Sequence, residues 1–165
     1  HLDFENSDAW ALVDHQFSHV YVRNADAEVI QTVQRLFANQ QGIQECLVMD
    51  QRSKYAMDHQ RSGEVILISQ PNSWQAYYWW LDDARAPEFA RTVDIHRKPG
   101  FDPVELHIDM PSKSTPLDAT LVKGSHGAPV TCSDQRGLLM TSMDLDLQPE
   151  IRDVEVCNLV TSQFS

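Results

Sequence analysis

Two short polar segments contain the residue types best suited to binding a metal ion. In the first, Asp14 and His15 directly follow the apolar run AWALV, and His19 comes four residues later. In the second, the sequence KGSHG places His126 beside Gly127, where little side-chain bulk crowds the imidazole ring. Imidazole nitrogens and carboxylate oxygens suit zinc, although manganese and iron also accept them.

Both segments come at the end of an apolar run that is typical of a short strand. Open α/β sheets bind ligands just beyond the carboxyl ends of their strands. We therefore expect Asp14, His15 and His126 to bind one divalent ion, or one each of a close pair. The residues by themselves leave a second interpretation open, in which both segments are ordinary turns held by hydrogen bonds.

A further polar cluster occupies the segment VDIHRKPGFDPVELHIDM. Arg97 and Lys98 are candidates for binding a substrate phosphate group, because both are cations. The alternative is that they are solvated, or paired with the acidic residues nearby. A second Asp-His pair, Asp58 and His59, lies in a polar stretch without a preceding apolar run, so we expect a loop there.

The elements around the first segment are predicted from hydrophobic periodicity. The sequence DAWALVDHQFSHVYV indicates two short strands separated by a polar turn that contains Asp14, His15 and Gln16. An amphipathic helix follows, with Asp26 as its N-cap and Gly42 as the residue that ends it. The next apolar run, IQECLVM, is a strand candidate, and a strand, a helix and another strand indicate an α/β fold.

The remaining patterns are shorter. The sequence GEVILISQPNSWQAYYWW predicts a β-hairpin with a turn at 70–73 and an aromatic second strand that packs in the core. Six prolines between 81 and 129 favour loops. The sequence ATLVKGSHG predicts a strand that ends in a turn, and IRDVEVCNLVTSQF predicts a helix with Asp153 as its N-cap.

Composition limits the class of protein. A chain of 165 residues with 42% hydrophobic residues is long enough for one domain with a real core. A net charge of −11 argues against nucleic acid or an anionic membrane surface as the partner. No apolar run reaches the roughly 20 residues of a membrane span. Three widely spaced cysteines without a CxxC pair favour free thiols and a cytoplasmic location.

Four blocks of the sequence together resemble a known enzyme family. They are ALVDHQFSHVYV, DHQRSGEVILIS, ARTVDIHRKPGFDPVEL and LVKGSHG. Their order and content are similar to the C-terminal half of type I phosphodiesterases/nucleotide pyrophosphatases, a branch of the alkaline-phosphatase superfamily. The resemblance covers the chain from about Asp8 to its end. It implies part of an α/β/α sandwich, with an added β-hairpin or small β subdomain inserted at about 58–118.

The resemblance also implies a set of metal ligands. In that family two zinc ions lie about 4 Å apart and a Thr or Ser nucleophile attacks phosphorus. Asp14 and His15 match the pair that binds one zinc ion, and His126 matches the later ligand of the other. The nucleophile and the remaining ligands of the family precede the Asp-His pair. Only 13 residues precede Asp14 here, and all seven threonines of the chain follow it.

The resemblance therefore implies that the chain is one part of an enzyme. The chain would be the C-terminal portion of a zinc-dependent phosphodiesterase or nucleotide pyrophosphatase that acts on a small phosphodiester or nucleotide. The N-terminal half of the same protein would supply the nucleophile, and the chain alone would be inactive. The competing hypothesis is a non-catalytic binding or assembly domain without a metal site.

Overall fold

A computed structural model describes residues 3–78, 80–92, 108–145 and 147–164 of the chain. The chain divides into two compact units, His1–Pro129 and Val130–Ser165, where composition predicts one domain of 1–165. Arg97 and Lys98, the predicted phosphate-binding residues, lie outside the described residues. In the described part of the chain, no helix is long and apolar enough to cross a membrane.

The first unit is built on a four-stranded antiparallel sheet with the strand order β1-β2-β4-β3. The strands are β1 (Ala9–Asp14), β2 (Phe17–Val22), β3 (Ile43–Val48) and β4 (Val65–Ser69). All five residues of β4 are buried, because the strand is paired on both edges and covered on both faces. Helix and sheet together give the general α/β class that the sequence predicts.

Helix α1 (Ala27–Phe37) packs on one face of this sheet. The core there contains Val20, Val22, Ile30, Val33, Val48, Val65 and Leu67. The Asp26 side chain accepts hydrogen bonds from the N–H groups of Glu28 and Val29, at 2.9 and 3.1 Å, which confirms the predicted N-cap. The predicted end at Gly42 is wrong. The helix stops at Phe37, and Gly42, with φ of 86°, lies in the turn that leads to β3.

The predicted hairpin that begins at β4 is not formed in the described residues. The turn at 70–73 is present, since the N–H of Ser73 donates to the carbonyl of Gln70 at 2.9 Å. Both edges of β4 are already hydrogen-bonded, to β2 and to β3, so the aromatic segment has no free edge of that strand to pair with. The segment predicted as an insertion, at about 58–118, thus contains β4, which lies between β2 and β3 in the sheet.

The segment before His126 also differs from its prediction. The structure has a short 3-10 turn at Ala119–Leu121 and irregular backbone from there to Gly127, instead of a strand. The Asp118 carboxylate accepts hydrogen bonds from the N–H and hydroxyl of Thr120, at 3.0 and 2.7 Å, and this local bonding favours a turn. Residues 125–127, at the end of this segment, are positioned by their contacts with the turn between β1 and β2.

The second unit contains helix α2 (Asp153–Thr161). Its existence confirms the predicted C-terminal helix. Its N-cap is Arg152 instead of the predicted Asp153, and the Glu155 carboxylate accepts a hydrogen bond from the N–H of Arg152 at 2.8 Å. The predicted and observed N-caps differ by one residue. Asp153 lies in the first turn, where the negative charge of an acidic side chain interacts favourably with the helix dipole.

Replacement of Gly63 tests the packing of the sheet. A Cβ atom at Gly63 would lie 2.6 Å from the carbonyl oxygen of Val20. The backbone at residue 63 would therefore have to move away from β2. We expect Gly63→Ala to lower the free energy of unfolding by about 1–3 kcal/mol, as overpacking does. Urea unfolding followed by circular dichroism measures it. Gly124→Ala is the control, because its added Cβ meets nothing within 4 Å; equal stability of both variants would contradict the prediction.

Candidate metal site

The turn between β1 and β2 carries two of the three candidate ligands. Asp14 ends β1 and pairs with Phe17, and His15 and Gln16 form the two-residue turn between them. His15 has φ of 56°, in the left-handed region, which histidine enters more readily than most non-glycine residues. The N–H of Gln75 donates to the His15 carbonyl at 2.7 Å, and the N–H of Ser69 donates to the Gln16 carbonyl at 2.8 Å. Backbone hydrogen bonds from Ser69 and Gln75 thus hold this turn in place.

The segment that carries the third ligand docks on this turn. The N–H of Gln16 donates to the His126 carbonyl at 2.9 Å. Gly127 has φ of 100°, and a Cβ there would lie 2.8 Å from Cδ1 of Phe17 and 3.3 Å from the Asp14 carbonyl. A glycine is therefore required at 127 both for its backbone conformation and for the close approach of the two segments.

Docking brings three potential ligands together. Asp14, His15 and His126 each offer one ligand atom, and these atoms all lie within 4.8 Å of one another. His15 is 2% exposed, whereas Asp14 and His126 are exposed. The rings of His15 and His126 have their centroids 3.8 Å apart at an interplanar angle of 40°, and the Tyr77 ring meets His15 edge-on at 6.1 Å.

This donor set fits a divalent transition metal. Zinc bonds of about 2.0–2.2 Å place two ligand atoms at most about 4.4 Å apart, so a small side-chain rotation would let all three reach one ion. Three protein ligands leave a coordination position open, as in catalytic zinc sites. Two imidazoles with one carboxylate also suit iron(II). The same spacing accommodates a pair of ions about 4 Å apart.

Two residues orient His15 without being ligands themselves. The Ser125 hydroxyl lies 3.0 Å from Nδ1 of His15, and a hydrogen-bond partner on one ring nitrogen fixes the orientation of a histidine that binds metal. The Gln16 side-chain amide donates to the carbonyls of Pro71 and Ser73, at 3.3 and 2.9 Å, and so fastens the turn to the segment after β4. Neither role was predicted from the sequence; the position of Ser125 beside His126 was the one available signal for Ser125.

The other two histidines that the structure describes, His19 and His59, form hydrogen bonds outside this group. Nδ1 of His19 accepts a hydrogen bond from the N–H of Gly63 at 3.1 Å, and its ring stacks on Tyr21 on the face of β2. Nδ1 of His59 accepts from the N–H of Arg61 at 3.1 Å, in the turn that the polar sequence predicts. Neither belongs to the group formed by Asp14, His15 and His126.

The position of the group agrees in part with the sequence expectation. Asp14 and His15 lie in the predicted polar turn, because β1 and β2 are consecutive in the chain and close into a hairpin. His126, in contrast, follows the irregular segment 122–127 instead of the end of a strand.

Removal of the Ser125 hydroxyl tests its role in orienting His15. We expect Ser125→Ala to weaken zinc binding about 10- to 100-fold, which is the usual effect of losing such a partner. Ser125→Thr keeps the hydroxyl and should restore most of the affinity. The d–d absorption of bound Co²⁺ should change in the alanine variant alone. Equal zinc affinity in all three proteins would contradict the role.

The pH dependence of stability tests the burial of His19 on the sheet. Burial lowers the pKa of His19 below its ordinary 6.5, against a smaller raising effect of Asp14, and Arg52 lowers it further. The unfolded chain therefore binds the proton more tightly than the folded chain. The stabilisation is complete above about pH 6.5 and is lost as the pH falls through the folded-state pKa.

We expect the free energy of unfolding to fall less between neutral and mildly acidic pH in His19→Gln than in the parent chain. Urea unfolding at each pH measures this free energy. His59→Gln is the matched control, because His59 is an exposed turn residue. An identical slope in the parent and the His19 variant would show that the proton on His19 does not affect stability.

Comparison with known proteins adds no further constraint on this site. No family model matches the chain, and no curated protein or solved structure shows significant similarity to it.

Proposed function

We propose that Asp14, His15 and His126 bind zinc in the centre of a metal-dependent phosphodiesterase or nucleotide pyrophosphatase. One observation carries the proposal: two segments 126 − 15 = 111 residues apart meet so that three ligand atoms lie within 4.8 Å. The resemblance of the four sequence blocks to type I phosphodiesterases/nucleotide pyrophosphatases supports the same three residues.

The residues of the chain have distinct parts in this proposal. A bound zinc ion supplies a Lewis acid that activates a nucleophile and balances the charge on phosphoryl oxygens. His15, buried and held by Ser125, gives the site a rigid nitrogen ligand. Asp14 and His126 are exposed, so they face the side from which a substrate arrives. A local cation also overcomes the repulsion between a phosphate and a chain of net charge −11.

The nucleophile and the remaining ligands belong to a separate segment of the protein in this proposal. The resemblance places them before the Asp-His pair, and no residue before Asp14 matches them. The finer features of the fold, part of an alkaline-phosphatase-like sandwich with an insertion at about 58–118, are proposed on the same basis. The chain alone then holds metal but does not turn over substrate.

Zinc-dependent hydrolysis tests this function. The substrate is bis-p-nitrophenyl phosphate, and the enzyme is the natural protein as its gene encodes it. We expect chelation to abolish the activity, and Asp14→Asn and His126→Gln to lower kcat/KM by at least about 100-fold. His59→Gln, the control from the second Asp-His pair, should leave the activity unchanged.

Two results would contradict the proposal. If Asp14→Asn and His126→Gln each kept the full activity of the natural protein, these residues would not serve the reaction. That result would favour the alternative of a binding or assembly domain whose turns need no metal. Zinc-stimulated cleavage by this chain alone would contradict the assignment of the nucleophile to a separate segment.

A further inference from the structure

Strand β1 forms an outer edge of the sheet, and its backbone polar groups on that side are unpaired. The strand pairs with β2 alone. The N–H of Arg23 donates to the carbonyl of Asp8 at 2.8 Å, so the even-numbered positions of β1 bond to β2 in the alternating pattern of an antiparallel pair. The N–H and carbonyl groups of Ala9, Ala11 and Val13 therefore point away from β2. Within the described residues they form no hydrogen bond.

The opposite outer strand of the same sheet is protected, whereas β1 is not. The pairing of β3 with β4 has a register shift between Ile43 and Glu45, and the Glu45 carboxylate forms an ion pair with Lys54 at 2.6 Å. Irregular pairing and charged side chains both hinder the addition of a further strand. The pairing of β1 with β2 is continuous, and the run AWALV contains no charge, glycine or proline. The edge of β1 is therefore suited to accept another strand.

An apolar side chain on β1 is also left uncovered. Leu12 is 60% exposed, and it is the only exposed large hydrophobic side chain in the four strands. It shares a face of the strand with Trp10, because side chains two positions apart point the same way. Trp10 already stacks on Tyr21 of β2, with ring centroids 6.0 Å apart. A strand added along β1 would cover Leu12 and remove its apolar surface from water.

The charge around the start of this edge indicates the charge of the partner. Asp3, Glu5 and Asp8 are exposed and precede β1 directly, and none of them forms an ion pair in the part of the chain that the structure describes. Arg23 lies beside this segment, where it donates to the backbone carbonyls of Glu5 and Ser7 at 2.8 and 2.9 Å. A basic strand complements this edge, whereas a second copy of the chain would bring another net charge of −11 beside it.

We propose that the outer edge of β1 binds an extended peptide segment that carries basic residues and is not part of a second copy of this chain. The segment adds to the sheet as a fifth strand, antiparallel to β1. Backbone hydrogen bonds to Ala9, Ala11 and Val13 supply the affinity, and side chains beside Leu12 and Asp8 supply the specificity. This binding is independent of the proposed function, because none of these residues is a candidate metal ligand.

Hydrogen exchange measured by NMR on the full chain tests the inference. The probe is a short synthetic peptide of alternating threonine and valine with lysine at both ends, methylated on the amides of one edge so that it does not stack on itself. At a free peptide concentration of about ten times Kd, we expect about tenfold slower exchange at Ala9, Ala11 and Val13. The N–H groups of Trp10 and Leu12 already bond to β2, so their exchange should change much less.

A substitution at the centre of the edge gives the matched comparison. Ala11→Pro removes one outward N–H, and proline is tolerated at such a position of an edge strand. We expect this variant to keep the circular dichroism spectrum of the parent and to bind the peptide at least about tenfold more weakly. Ala11→Ser keeps the N–H and should bind like the parent. If Ala11→Pro does not fold, a peptide methylated on the amides of both edges makes the same test, because it should not bind the parent.

Each of four results would overturn the inference. The first is unchanged exchange at Ala9, Ala11 and Val13 at every soluble peptide concentration. The second is equal binding of the peptide methylated on both edges, since backbone pairing would then not hold it. The third is equal binding of a peptide with glutamate at both ends, since the edge would then not select a basic partner. The fourth is protection of these three groups that rises with protein concentration alone, which would make a second copy of the chain the occupant.

Discussion

The candidate site depends on one contact, the docking of residues 125–127 on the turn between β1 and β2. A backbone hydrogen bond joins Gln16 to His126, and Gly127 packs so closely on Phe17 that a side chain does not fit there. Ordering an irregular segment has a conformational cost, which this contact and the bond between Ser125 and His15 offset. Without them, Asp14 and His15 would have no partner ligand from the distant segment.

The buried central strand makes this docking possible. Strand β4 is paired on both edges, so β2 and the turn that precedes it are held to the middle of the sheet. The chain after β4 then turns at 70–73 and returns, where the N–H of Gln75 bonds to the His15 carbonyl. The three candidate ligands therefore lie on short loops fastened to a rigid sheet, an arrangement that leaves side chains little freedom.

Several local features of this fold were predictable from the sequence, whereas the pairing of β4 was not. The turn at Asp14, the N-cap at Asp26 and the strand at Ile43–Val48 depend on neighbouring residues, and the structure confirms them. The partners of β4 depend on which distant edges are free, so hydrophobic alternation predicted a hairpin that is not formed. The three candidate ligands could be singled out from their sequence contexts, but the contact of Ser125 with His15 joins residues 110 apart and has no sequence pattern.

A double-mutant cycle on zinc affinity tests the central claim, that His15 and His126 bind the same metal site. Equilibrium dialysis of the parent chain, His15→Ala, His126→Ala and the double variant gives the four affinities. We predict that each single variant binds zinc at least about 100-fold more weakly than the parent, and that the double variant loses little more than either. Zinc affinity in the parent no greater than in the double variant would contradict the account.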